Sequence, residues 1–441
     1  MRHSIGVLRP CKLHVSKQVG VLTLTQYYGS AKPKSHGKRI TRIKSSWNPL
    51  GTGLDRSQVA AWRTELGARW AEYQGRNNWE GLLDPLEDGL REEILRYGEF
   101  VDATYQSFEF DAASPDYASC RFSRFSMLAQ CGLGESGYRV TRNLRATCGV
   151  QLPRWLDQAG PSWALTRSSW IGYVAVCNDK EEIARLGRRD VVIALRGTIT
   201  CLEWLENFRA MLTCLQDHVG PENDEAMVES GFLSLYTSRT ATCPSLQDMV
   251  REEIARVMRS YGDEPLSVTI VGHSLGAALA TLAAYDITTT FDRAPMVTVI
   301  SFAGPRVGNR SFRTQLEKSG AKILRIVNSD DVVTKVPGFV IDNNDVAEGE
   351  AVQVAGLPSW LREHVDYKQW VYADVGRELR LSSRGSPHLS NGNIATNIAT
   401  CHDLRTYLKL INGFVSSTCP LKATAKSVLG RAQQENQLLF R

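Results

Sequence analysis

Ser274 stands in the run Gly272-His273-Ser274-Leu275-Gly276. A serine hydroxyl is a weak nucleophile until a base takes its proton, and that base needs a carboxylate to hold it in the right tautomer. With both partners, such a serine attacks acyl carbonyls through a covalent intermediate. The surroundings support this chemistry. Val268 to Val271 reads as an apolar strand, and an Ala- and Leu-rich helix begins at Ala277, so the serine falls on a sharp strand-to-helix corner. Gly272 and Gly276 flank it and allow close backbone approach. The helix N-terminus supplies partial positive charge where an oxyanion would develop. The alternative is a tight turn that packs a helix on a sheet, with the serine incidental.

The partners lie downstream if the chain order is serine, acid, histidine, the order that goes with an elbow of this kind. Only His364, His388 and His402 follow Ser274. The segment "LRIVNSDDVVTKVPG" puts Asp330 and Asp331 in a loop directly after an apolar strand. Residue types alone leave both aspartates and all three histidines open. His273, inside the elbow, reads as a residue that orders the turn by hydrogen bonding. One oxyanion donor is expected from the backbone N–H of Leu275. A second must come from the loop after an earlier strand, and "VVIALRGT" ends one at Arg196-Gly197-Thr198. This triplet could equally be an ordinary strand-end turn.

The elements that must position these groups read as a layered α/β fold. Strands are expected at Trp170–Cys177, Asp190–Thr198, "LSVTIVG", Val297–Gly304 and Ala321–Asn328. They are rich in Val and Ile, nearly continuously apolar, and separated by helical stretches. That pattern predicts a buried, mainly parallel sheet with helices on both faces. Upstream, "SQVAAWRTELGARWAEYQG" and "GLREEILRYGEFVDATYQSF" carry apolar residues at helical spacing. "WVYADVGRELRL" reads as part of a late hairpin. No internal repeat of fixed period occurs. The expected organisation is a basic disordered leader over 1–54, an N-terminal helical extension over 55–150, the catalytic domain over 151–418, and a C-terminal tail over 419–441.

The net charge of +5 is unevenly spread. All ten basic residues of the first 54 stand without one Asp or Glu, so the remaining chain is net acidic. A basic, acid-free leader rich in Ser and Thr reads as an organelle transit peptide, with a lipid- or nucleic-acid-binding arm as the alternative. Confinement of the positive charge to the leader argues against nucleic-acid binding by the folded part. No run of 18 residues is apolar enough for a membrane span. The ten cysteines form no C-x-x-C pair and no zinc spacing, and read as reduced thiols. Neither a metal nor an organic cofactor is indicated, and no stable protein partner can be read.

Four segments in order, "VGHSLGAALATLAA", "ISFAGPRVGN", "VNSDDVVTKVPG" and "CHDLRTYLKLINGF", resemble the lipase class 3 family. More narrowly the chain is similar to plant plastid class I sn-1 phospholipases A. "NNWEGLLDPLEDGLREEILRYGEF", "ALRGTITCLEWLENFRAML" and "SGFLSLYTS" fit the same subfamily, so the resemblance covers roughly Gln58 to Val415. It implies an α/β-hydrolase fold with Ser274 as nucleophile, Asp331 as acid, His402 as base with Tyr407 five residues on, and Thr198 as the second oxyanion residue. It leaves Asp330 as a loop-capping residue, His388 as the competing base and His364 as structural. Many relatives carry a histidine in the stretch where this chain has Asp374. The resemblance also implies a lid over "CLEWLENFRAMLTCL", where Trp204, Phe208, Met211, Leu212 and Leu215 share one helical face; a core-facing helix is the alternative. The implied activity is release of fatty acid from the sn-1 position of plastid phospholipids or galactolipids, with triacylglycerol less favoured. The implied location is the plastid, and the implied contact a membrane surface. An acyltransferase, or a silent lipid-binding homologue, are the competing functions.

Overall fold

Strands buried on both faces must be apolar at every position, and the central runs of this chain are. In the computed structural model, which describes residues 66–111, 113–147, 168–198, 212–215, 226–336, 371–383 and 398–416, these runs form one seven-stranded sheet. Helix α1 (Asp88–Ser107) precedes a short α2 (Met127–Gln130), then β1 (Tyr138–Thr147), β2 (Ser168–Cys177), α3 (Lys180–Leu186) and β3 (Arg189–Leu195). A small pair, β4 (Leu212–Cys214) and β5 (Met227–Glu229), leads into α4 (Ser230–Thr237) and α5 (Leu246–Tyr261). Then come β6 (Leu266–His273), α6 (Leu275–Thr290), β7 (Met296–Phe302), α7 (Arg310–Lys318), β8 (Lys322–Asn328) and β9 (Arg377–Leu381). Helices α8 (Ile398–His402) and α9 (Leu404–Gly413) close the fold.

The sheet order is β1-β2-β3-β6-β7-β8-β9. β3, β6, β7, β8 and β9 run parallel, while β1 and β2 join antiparallel at one edge. The expected mainly parallel α/β sheet is therefore observed. Alternate residues of each strand feed opposite layers. Val191, Ile193, Val268, Ile270, Val297 and Val299 pack with α4 to α7. Val192, Ala194, Val271, Ile300, Leu324 and Ile326 pack with α1, α9 and the helical residues 66–73.

Two expectations change. β1 lies inside the stretch assigned to a helical extension, yet its backbone ladder with β2 makes it the edge strand of the catalytic sheet. Among the described residues the late segment pairs in no hairpin. Arg377–Leu381 instead adds parallel to β8, because its Leu379 and Leu381 have an apolar layer to enter there.

At the N-terminal ends of the parallel strands, α1 is held by a buried polar cluster. Asp190, fully buried, accepts from Tyr138 Oη at 2.7 Å and Tyr97 Oη at 3.0 Å, and Arg96 lies 3.4 Å away. Arg96 also pairs with Glu93 at 2.7 Å. Burial opposes the charge on Asp190, but Arg188 and Arg96 outweigh it and hold the carboxyl below its ordinary range. The opposite ends of the same strands carry the residues of chemical interest.

Candidate active site

β6 ends at His273 and α6 begins at Leu275, which leaves Ser274 alone at the corner. Its φ of 57° is the left-handed region that side chains seldom occupy. The strain is held by a bond from its N–H to Phe302 O at 3.0 Å and by packing on both sides. A Cβ on Gly276 would stand 2.6 Å from Arg196 O, and one on Gly272 would stand 2.6 Å from Ala277 N. Both neighbours are backbone, so neither can yield. A Cβ on Gly197 would meet His273 O at 2.9 Å and Ser274 Cβ at 3.0 Å. The end of β3 and the elbow are thus pressed together main chain to main chain. That contact sets Thr198 one residue beyond Ser274's neighbour, and the Thr198 hydroxyl is buried without a hydrogen-bond partner among the described residues. The first N–H groups of α6, Leu275 included, have no partner within the helix by its geometry.

The loop after β8 separates the two aspartates. Asp331 is fully buried, and its Oδ2 accepts from His402 Nδ1 at 2.8 Å and from Tyr407 Oη at 2.8 Å. Its Oδ1 accepts from Val333 N–H at 2.9 Å. Asp330 turns the other way and accepts from Ser383 Oγ at 2.6 Å and Ser383 N–H at 3.2 Å, which ties β9 to the loop. Asn328 completes the frame: its Nδ2 donates to Cys401 O at 3.1 Å, and its N–H donates to Tyr407 Oη at 2.9 Å. The structure therefore brings Asp331 and His402 together and gives Asp330 to the loop. With Nδ1–H donated to Asp331, the neutral imidazole of His402 carries its lone pair on Nε2.

His273 is buried with its ring 4.8 Å from that of His402, centroid to centroid. Nε2 meets His402 O at 2.7 Å and Nδ1 meets Tyr105 Oη at 2.7 Å. Burial, with His402 adding to it, lowers its pKa to about 3, so the ring is neutral in any ordinary buffer. Arg196 is also buried at the β3 end. It donates to Trp170 O, Gly197 O and Ser169 Oγ, and lies 3.8 Å over the Phe108 ring. Desolvation lowers its pKa to about 10.

His364 and His388 lie outside the described residues, as do Trp204, Phe208 and Met211. Leu212 does not belong to a helical face. It opens β4, buried, with its backbone paired to Glu229 across an antiparallel ladder. That ladder satisfies the main chain in an extended form, so the helical spacing through Leu212 does not carry to its end. Asp374 accepts from Arg306 Nε at 3.2 Å and lies 3.1 Å from Arg325. Among the described residues no cluster of His, Cys, Asp and Glu could hold a metal ion, and no two of the described cysteines are joined in a disulfide.

Two contributors escaped sequence reasoning. Tyr105 fits the apolar face of α1 and has no local signal for contact with a site residue 168 positions away. Tyr407 stood in a recognised motif, but only the fold shows its hydroxyl on the carboxylate.

The model of the family described as Lipase (class 3) matches residues 192–341. The chain is 61% identical over 395 residues to the chloroplastic phospholipase A(1) DAD1 of Arabidopsis thaliana, covering 88% of this chain and 85% of that one. It is 38% identical to the chloroplastic galactolipase DONGLE of the same plant, covering 79% and 70% respectively. Among solved structures, the nonglycosylated LIP2 lipase of Yarrowia lipolytica is 18% identical, with 58% of this chain and 77% of that chain covered at a TM-score of 0.38.

Proposed function

The chain belongs to the class 3 lipase family, and from that premise we propose that it is a plastid serine acylhydrolase that releases fatty acid from the sn-1 position of glycerolipids. Phospholipid and galactolipid are the substrate classes, following the phospholipase A(1) and galactolipase among its relatives. The observation that supports the reading most directly is the Asp331–His402 pair at 2.8 Å, held at the same end of the sheet as the strained Ser274 corner.

In this reading Ser274 Oγ attacks the ester carbonyl while His402 Nε2 takes its proton. Asp331 stays ionised, orients the imidazole and stabilises the imidazolium. The tetrahedral oxyanion receives the N–H groups of Leu275 and Thr198, with the Thr198 hydroxyl as a further donor. As the C–O bond breaks, His402 returns its proton to the leaving lysolipid oxygen. Water, activated by the same imidazole, then attacks the acyl-enzyme, and fatty acid leaves. These steps need no group beyond the side chains and main chain named here. In this reading the enzyme meets its substrate at a membrane surface; no described helix is long and apolar enough to cross a membrane.

The test is incubation of the protein with mixed vesicles of galactolipid and phosphatidylcholine beside Ser274→Ala, with products identified by mass spectrometry. Free fatty acid and 2-acyl lysolipid from the parent protein, absent with the variant, are expected. Lysolipid without matching fatty acid would point to acyl transfer. No product from either lipid would overturn the reading.

A further inference from the structure

Tyr105 belongs to α1, outside the elbow, the acid loop and the base helix. Its hydroxyl nevertheless meets two parts of the site at once: it accepts from Gly197 N–H at 2.8 Å and contacts His273 Nδ1 at 2.7 Å. The direction of the second bond follows from the far side of the ring. His273 Nε2 faces the carbonyl oxygen of His402 at 2.7 Å, and a carbonyl can only accept, so Nε2 carries the proton. The ring is neutral, so Nδ1 carries the lone pair and Tyr105 Oη–H donates to it. Every hydrogen in the chain is thereby assigned: Gly197 N–H to Tyr105, Tyr105 O–H to His273, and His273 N–H to the backbone of His402.

Each end of that chain matters to the chemistry. Gly197 C=O and Thr198 N–H belong to one planar peptide unit, and a planar unit turns as a body. Tyr105 fixes Gly197 through its N–H, and Arg196 Nη1 fixes it through its C=O at 2.8 Å. Thr198 N–H therefore has its direction set from both sides. At the other end, the bond to His402 O holds the main chain of the base, while Asp331 holds its ring. The side chain of Tyr105 is itself buried, and its ring packs edge-on to His273 at 5.8 Å between centroids, so the phenol cannot swing away.

We infer that Tyr105 is a positioning residue for the reaction: from α1, its hydroxyl sets the oxyanion-binding peptide and the backbone of the base at fixed places about Ser274. The inference rests on the acylhydrolase reading of the site. It assigns α1 a part in catalysis as well as in the core. It also gives the histidine before the nucleophile a use, since a neutral imidazole accepts at one nitrogen and donates at the other.

The experiment compares the parent protein, Tyr105→Phe and Arg196→Lys. The readouts are steady-state hydrolysis of a soluble p-nitrophenyl ester, labelling rate with a fluorophosphonate probe, and thermal melting. Tyr105→Phe keeps the ring and loses only the hydroxyl. Its kcat should fall about 10- to 100-fold with KM within about twofold, in the range of losing part of an oxyanion donor's alignment. Probe labelling at Ser274 should slow by a similar factor. A purely structural role predicts a lower melting temperature with kcat and labelling unchanged when assayed below the transition, and that result would overturn the inference. A rise in KM alone would also overturn it, since it would make Tyr105 a substrate contact. Should Tyr105→Phe fail to fold, Arg196→Lys carries the test: it removes the guanidinium bond to Gly197 O, and unchanged kcat there would count against a held peptide. If the parent protein itself takes no label at Ser274, the acylhydrolase reading fails first, and the two failures are distinguishable.

Discussion

Replacement of Tyr407 by Phe separates the support of the acid from the acid itself. The Tyr407 hydroxyl is buried, donates to Asp331 Oδ2 at 2.8 Å and accepts from Asn328 N–H at 2.9 Å. Burial, reinforced by the neighbouring Asp331 charge, keeps the phenol well above its ordinary pKa, so it is a donor at every usable pH. Removing the oxygen takes one hydrogen bond from an ionised acceptor and leaves one buried amide N–H without a partner. A bond to a charged group contributes ~1.5–3 kcal/mol, and an orphaned buried donor costs ~1–3 kcal/mol, so a combined loss of about 3 kcal/mol is expected after partial relaxation. For a domain of this size that lowers the melting temperature by roughly 6–12 °C. Catalysis should suffer less. Asp331 keeps Val333 N–H and His402 as partners, so its charge stays in place and only its orientation loosens. A loss of about tenfold in kcat, equivalent to ~1.4 kcal/mol, is expected with KM unchanged. Thermal melting followed by dye fluorescence, and kcat and KM on a soluble ester below the transition, measure both. An unchanged melting temperature would refute the account of the buried network. Loss of activity as deep as that of Asp331→Asn would show that the phenol does more than support the carboxylate.

Three further outcomes are expected. Asp331→Asn should lower kcat by about 10³- to 10⁴-fold, as loss of the orienting charge does in such triads, whereas Asp330→Asn, which faces Ser383, should stay within about fivefold; paired steady-state assays decide the assignment. Gly276→Ala drives a Cβ against Leu195 O and Arg196 O, both main chain, so it should destabilise by ~1–3 kcal/mol and lower kcat at least tenfold by parting the elbow from the β3 end, as read by urea unfolding and ester hydrolysis. Asp190 has a depressed folded-state pKa, so its contribution is present above the unfolded value near ~3.9 and is lost as pH falls through the folded value. Asp190→Asn should therefore flatten the acid limb of stability measured by urea unfolding between pH 5 and pH 3. At pH 7 it should cost ~3–5 kcal/mol, because Arg96 and Arg188 stay buried with one carboxylate fewer.

The amino-acid order alone determined the sheet and the corner. Both are local: Val- and Ile-rich runs are legible as doubly covered strands, and the elbow needs only five consecutive residues, with its glycines already in place. The helix α1 was legible too, through its periodicity, but not its purpose. What the order of residues could not decide was which of two adjacent aspartates turns inward. Asp330 and Asp331 share a composition and a loop, and the choice depends on Ser383 arriving from β9 and on His402 and Tyr407 arriving from α8 and α9. Nor could it show that β9 pairs parallel with β8, since a short strand of alternating charge and leucine reads the same in either pairing. Tyr105 shows the limit most plainly. Periodicity assigns a residue to a face and spacing assigns it to a turn, but neither reaches across the 92 positions to Gly197 or the 168 to His273. Only the docking of α1 on the sheet decides that a core tyrosine ends with its hydroxyl between the oxyanion peptide and the elbow.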